Sequence, residues 1–407
     1  MKLLTTLAWR NLWRNKRRTL ITISSVLFAV FLAIMFLSME QGSYERMIDS
    51  MVKYSTGYIQ IQDVLYDDEP SIDNTMVFDE DIELLLNRYD EEISYYVPRL
   101  QNFVLVATEN TTRGSMLIGI YPEKEKKLND MTDDIVEGTY LEPGDDGLLI
   151  AEGLANILNA GLGDTLVLLG QGFHGTTAAG LYPITGIVDL KVPEINNNTI
   201  YMSLEAAQWF YAADERLTAI IVMPENPKRT NQLAGKISDE IDSEWYNVLT
   251  WEEMLEDLLK LMKFDMAGTM VLMIILYIVI AFGLFGTILM MMLERKREFA
   301  LLFSLGMKRS KLAAICFMES VFITIIGVIS GIIVSIPVVA YFYHNPIVLA
   351  GDMAEAIGEY GFEPILPFSA DPSVFYNQAL IVLVLSILIG LYPVYKVFKM
   401  RIMDVKS

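Results

Sequence analysis

Few side chains here are equipped for chemistry. His174 and His344 are the only histidines and Cys316 is the only cysteine. A hydrolytic nucleophile needs a base beside it, and a metal needs several His, Cys or carboxylate ligands at close spacing. Neither histidine has a cysteine or a second histidine near it in the chain, and no serine stands in a Gly-x-Ser-x-Gly turn. Residues 170–175, GQGFHG, match the G-x-G-x-x-G spacing that holds dinucleotide phosphates. That chemistry needs a strand before the glycines and a helix after them. Thr176-Thr177-Ala178-Ala179-Gly180 opens no helix, so the segment reads as a hairpin loop. No G-x-x-x-x-G-K-[ST] loop occurs, so the chain is not itself an ATPase.

Glu319 is different, because it interrupts an apolar run. Ionisable groups at membrane depth are costly and often functional. This one lies only about two helical turns beyond Lys311, which favours a structural place near the interface or against a partner helix.

The runs around it organise the chain. Residues 266–293 carry no charge, and residues 312–343 carry only Glu319. Each exceeds the roughly 20 residues that cross about 30 Å of hydrocarbon. Two further runs, 19–39 and 375–395, are also uncharged. In lipid only a helix satisfies such a backbone internally. The expectation is an α-helical integral membrane protein with four transmembrane helices and a polar block at 40–265, large enough to fold by itself. A mean hydropathy of +0.37 agrees.

Charge sets the expected orientation. The net charge is −20, yet sixteen of the 31 Lys and Arg lie in three short segments, 1–18, 294–311 and 396–407. Positive charge on short loops stays in the cytoplasm. Both termini are therefore expected inside, and the 40–265 block outside. The first apolar run is too long for a cleaved leader and lacks a small-x-small cleavage site, so it reads as an uncleaved anchor. The small basic clusters flank spans and suit anionic lipid, not nucleic acid.

In order, residues 1–18 suit an amphipathic interfacial helix. Helical spacing continues past the first span through Tyr44, Met47, Ile48 and Met51. Residues 57–62 alternate with period two, and residues 103–107, 116–120, 164–169, 182–189, 199–202 and 219–223 also suit strands. Helical patterns cover 78–89, 204–211 and 231–242, making the outer block an α+β extracytoplasmic domain. Thr250-Trp251-Glu252-Glu253 fits a capping box that opens one nearly continuous helix into the second span. The outer loop at 344–374 holds four prolines and no Lys or Arg, which argues against long regular structure there.

The segment between the second and third spans, ERKREFALLFSLGMKR from Glu294 to Arg309, resembles the E-R-x-R-E-h-x-x-h-x-x-h-G stretch of FtsX-like ABC transporter permeases. Glu319 stands where that family has an early span glutamate. Tyr392 to Val405 resembles its closing segment, with Ile402 or Met403 where proline is usual. Trp9 to Leu20 resembles its opening. Residues 163–166, 184–188 and 201–208 are similar to the periplasmic domain of macrolide-exporter and lipoprotein-releasing permeases.

The resemblance implies a non-catalytic permease subunit in a bacterial inner membrane, multi-pass, paired with a second copy or a paralogue. Glu294, Arg295, Arg297, Glu298, Leu305, Gly306 and Met307 would meet a cytoplasmic ABC ATPase dimer. ATP and Mg would be bound by that partner, with no cofactor or metal in this chain. The implied work is extraction or export of a lipoprotein or other hydrophobic cargo from the outer leaflet. Where the outer ends of the first two spans meet, Met35, Phe36, Met39, Phe264, Met266 and Met270 are the candidates for cargo access. A signal transducer that activates an envelope enzyme, or acts on another periplasmic partner, without carrying cargo is the second reading. A membrane-anchored enzyme is the third, and it lacks a site signature.

Overall fold

The computed structural model describes residues 2–14, 16–294, 296–359 and 363–399. The chain forms two compact units. Among the described residues, the first holds four helices long and apolar enough to cross a membrane. We term them the first (Lys16–Met51), second (Glu256–Glu294), third (Arg309–His344) and fourth (Pro372–Lys399) spanning helices. A helix at Lys2–Arg14 precedes them, and another at Lys296–Ser304 joins the second to the third.

Close approach holds the first and third helices together. A Cβ on Gly327 would lie 2.6 Å from Val26 Cβ, and one on Gly331 would lie 2.8 Å from Val30 Cβ. Small residues four apart let helix backbones meet, and dispersion then supplies the attraction that lipid cannot. Val26, Val30, Ile34, Val328, Val339 and Val382 form the buried centre of this bundle.

The second unit is an α+β domain whose main sheet has ten strands. Its strands are β1 (Ile59–Asp63), β3 (Ile93–Ala107), β4 (Thr112–Ile120), β5 (Ile135–Gly138), β6 (Leu148–Ala151), β7 (Thr165–Gln171), β8 (Thr177–Val188), β9 (Thr199–Ser203), β11 (Ala219–Pro224) and β12 (Tyr246–Thr250); β2 (Met76–Val77) and β10 (Arg216–Leu217) pair separately. The order is β12-β1-β11-β3-β4-β9-β6-β8-β5, and β7 pairs with both β3 and β8. That double pairing closes β3, β4, β9, β6, β8 and β7 into a ring. Inside it Val104, Val106, Leu117, Leu166, Leu168 and Ile200 are buried in one core. Small rings of this kind are filled by side chains.

Local chemistry sets the ends of the domain's helices. Asp79 Oδ1 accepts from the Ile82 amide at 2.9 Å and opens Glu80–Arg88. Ser203 Oγ does the same for Ala206, opening Leu204–Tyr211.

Two expectations need correction. The capping box at Thr250 forms, with its amide donating to Glu253 Oε2 at 2.8 Å. Its helix nevertheless stops at Met254, and Leu255 (φ −100°, ψ 22°) offsets it from the helix that begins at Glu256. The ladder survives the offset, because the Leu255 amide reaches Trp251 O and the Leu259 amide reaches Leu255 O, each at 2.9 Å. Gly268 sits inside the helix, where one glycine costs only about 1 kcal/mol. The loop at 344–374 is also more regular than its prolines suggest. It holds the helix Asp352–Glu359, and Ile347–Val348 pairs with Ile365–Leu366.

Candidate functional site

The segment after the second spanning helix is built as a cap and a knob. The helix Lys296–Ser304 ends where Gly306 takes φ +91°, a conformation open to glycine and strained for other residues. The Met307 amide then reaches back to Leu302 O at 3.1 Å, the reverse bond that closes a helix end around a left-handed glycine. Leu302 and Met307 pack on the same small core of Met292, Phe299, Leu312, Ala313, Cys316 and Val397. That core holds the turn. Leu301 (63% exposed) and Leu305 (76% exposed) are four residues apart, so they share the outward face. Two bare leucines on a clamped turn suit insertion into a partner's groove.

The acidic residues of this segment have partners within the chain. Glu298 pairs with Arg14 and Glu294 with Arg18, which fastens the segment to the N-terminal helix and to the start of the first spanning helix. Both pairs are exposed enough to contribute only about 0–1 kcal/mol each. Their effect is on geometry more than on stability. Arg295 lies outside the described residues, as does the side chain of Arg297.

Glu319 is 2% exposed, beside Cys316 and Ser320 in the third spanning helix. Asn11 Nδ2 donates to its Oε1 at 2.8 Å. Around that bond Ala8 and Leu12 are buried, and Trp9 meets Phe322 edge-on with ring centroids 5.8 Å apart. The N-terminal helix therefore turns its Ala8, Asn11 and Leu12 side toward the third spanning helix. Thr19 Oγ1 closes the turn by donating to Leu12 O at 2.7 Å.

The candidates for cargo access divide. Met35 and Met39 are partly buried against the bundle core, while Phe36, Phe264, Met266 and Met270 are exposed. The helices that carry them meet near this level, where Tyr44 Oη donates to Asp265 Oδ2 at 2.6 Å.

Residues 170–175 run from the end of β7 into the tip of the β7–β8 hairpin. The His174 amide donates to Asp73 Oδ1 at 2.6 Å, and no helix follows the glycines, so the phosphate-binding geometry is not made. Among the described residues no group of three His, Cys, Asp or Glu is placed to hold a metal ion.

The glycines at 327 and 331 escaped the sequence reading, although their spacing of four in an apolar helix is a known close-packing signal. Arg99 also escaped it. This arginine is 1% exposed in the middle of β3, and nothing in the flanking residues marks it.

Residues 19–240 match the family described as MacB-like periplasmic core domain, and residues 270–402 match the family described as FtsX-like permease C-terminal. The lipoprotein-releasing system transmembrane protein LolC of Neisseria meningitidis serogroup B is 23% identical over 245 residues, covering 58% of this chain and 59% of that protein. LolC of Xylella fastidiosa strain Temecula1 is 22% identical over 253 residues, 60% of each chain. The chain thus aligns with about 60% of the length of these curated relatives. Among solved structures, the extracellular domain of the noncanonic ABC-type transporter YknZ from Gram-positive bacteria is 13% identical, covers 48% of this chain and 100% of that one, and has a TM-score of 0.34. The periplasmic region of MacB from Actinobacillus actinomycetemcomitans is 12% identical, covers 51% of this chain and 95% of that one, and also has a TM-score of 0.34.

Proposed function

The chain belongs to the FtsX-like ABC transporter permeases that carry a MacB-like periplasmic core domain, and from that premise we propose that it couples ATP hydrolysis by a separate ATPase to extraction of a lipoprotein or other hydrophobic cargo from the outer leaflet of the inner membrane. One observation carries the reading. Two of the four points where the chain passes between the compact units fall inside helices, Lys16–Met51 and Glu256–Glu294, and neither helix contains a proline. A continuous helix conveys displacement along its axis, whereas a flexible linker absorbs it.

On this reading both termini are cytoplasmic, in keeping with the basic segments at either end. The leucine knob enters a groove of a cytoplasmic ABC ATPase dimer, which itself binds ATP and Mg. A second permease copy or a paralogue completes the transporter. Cargo leaves the lipid beside Phe36, Phe264, Met266 and Met270, with Met35 and Met39 behind them. Withdrawing one 16-carbon acyl chain from a bilayer costs on the order of 10 kcal/mol, at about 0.8 kcal/mol per CH₂. Such a step needs a coupled motor.

The test is reconstitution with the partner ATPase in liposomes that hold an acylated protein. ATP and Mg²⁺ should release that protein into the aqueous phase, and a non-hydrolysable analogue should not. Hydrolysis without release would sink the cargo reading and support a signal transducer in its place.

A further inference from the structure

The chain leaves the first spanning helix at Met51 and enters β1 at Ile59. Between them, residues 52–56 make one π-helical turn. The last carbonyls of a helix have no partner inside it and carry its negative end. Here two buried side chains supply partners. Arg99 Nη1 donates to Ser55 O at 2.9 Å and to Tyr54 O at 3.4 Å. Asn129 Nδ2 reaches Lys53 O at 3.4 Å. Three successive carbonyls are thus held from outside the helix.

The two side chains are themselves joined. Arg99 Nε donates to Glu125 Oε2 at 3.2 Å, and its Nη2 pairs with Glu125 Oε1. Asn129 Nδ2 also donates to Glu125 Oε1, at 2.9 Å. Glu125 and Asn129 belong to the helix Pro122–Leu128 and its C-cap, and both are fully buried. Burial alone would lower the pKa of the Arg99 guanidinium. The facing Glu125 carboxylate more than offsets this and leaves the pKa raised, so the cation persists.

A buried ion pair is an inefficient way to gain stability, since well-packed apolar residues of similar volume often do as well. Its position offers a different explanation. Through the covalent chain alone, the first spanning helix joins the sheet at β1, one strand from the β12 edge. Through Arg99 it also joins β3, which is hydrogen-bonded to β4, β7 and β11. Gly57 (φ +64°) fixes the exit, because a Cβ there would lie 2.2 Å from Ile221 Cγ2.

We infer that Arg99, Glu125 and Asn129 form a pin that delivers displacement of the first spanning helix to the centre of the sheet. Arg99 is a positioning residue, acting through the carbonyls of residues 54 and 55. The inference rests on the coupling function proposed above.

Hydrogen exchange on the reconstituted complex with its ATPase tests it, with and without ATP and vanadate. Arg99→Lys keeps a cation beside Glu125, but a single nitrogen replaces the rigid fork in which Nε and Nη2 face the carboxylate and Nη1 faces the two carbonyls. Exchange at residues 52–58 should quicken at least tenfold, while β3, β4 and β11 stay protected. In the wild type, nucleotide should alter exchange in β3. In Arg99→Lys that response should fall at least fivefold while ATP hydrolysis stays within twofold. Asn129→Ala, which removes only the bonds to Lys53 and Glu125, should give a smaller change of the same sign and serves if the first variant does not fold. An equal nucleotide response in wild type and variants overturns the pin and leaves the coupling function standing. No response in the wild type overturns both.

Discussion

Asn11 donates its side-chain amide to Glu319 across 2.8 Å, so the N-terminal helix is bonded to the one carboxylate inside the third spanning helix. A carboxylate at that depth is tolerable when its charge is met by donors. Asn11→Leu removes one donor, and a buried acceptor left short costs about 1–3 kcal/mol. The purified permease should melt lower in detergent by a matching amount, while Glu319→Gln, which keeps an acceptor facing Asn11, should lose less. Unchanged melting of Asn11→Leu would show that the bond is incidental.

Gly327 faces Val26 with no room for a side chain. Gly327→Leu should push the first and third spanning helices apart, at a cost of about 1–3 kcal/mol for the overpacking. The double variant Gly327→Ala with Val26→Ala should melt closer to wild type than Gly327→Ala alone. If it melts lower, the close approach is not what the glycine serves.

The leucine knob gives the sharpest test of partner docking. Leu305→Asp should leave insertion and melting nearly unchanged, because the side chain is exposed. Retention of the partner ATPase on an affinity column should nevertheless drop at least tenfold. Gly306→Ala forces a left-handed backbone on a residue with a Cβ, which costs roughly 1–2 kcal/mol. It should weaken retention by distorting the turn, and full retention in both variants would rule the knob out.

Lys191 carries a pH signature. Its ammonium donates to Asp189 Oδ2 at 2.6 Å, and that bond raises its pKa above the ordinary 10.5 despite the opposing effect of partial burial. With a folded value above the unfolded one, the stabilisation is complete below about pH 10 and is lost as the pH rises through the folded value. The melting difference between wild type and Lys191→Met should therefore be flat from pH 6 to 9 and shrink at higher pH. A difference that grows there would reverse the sign.

The spans were readable because an uncharged run of such length has one stable conformation in lipid. Strand existence in the α+β domain was readable too, since residues such as those at 199–202 pair β-branched and aromatic side chains with clear turns. Facing was harder. Residues 103–106, Phe-Val-Leu-Val, are apolar throughout, so alternation cannot say which pair faces the core. The structure buries Val104 and Val106 and exposes Phe103 and Leu105. The ring closed by β7 was out of reach for a similar reason, because it depends on pairing Leu105 with Leu169, far away in the chain. In the segment between the second and third spanning helices the sequence marks the residue types. It does not show that Glu294 and Glu298 are tied back to Arg18 and Arg14, since those partners lie almost 300 residues upstream.

β1 and β12 are direct neighbours, with Ile59 opposite Thr250 and the Trp251 amide bonded to Tyr58 O at 2.9 Å. One is the first strand of the α+β domain and the other its last. The stretch from β1 to β12 therefore begins and ends a single strand spacing apart. Recombination could trade that stretch for another by matching only that one gap.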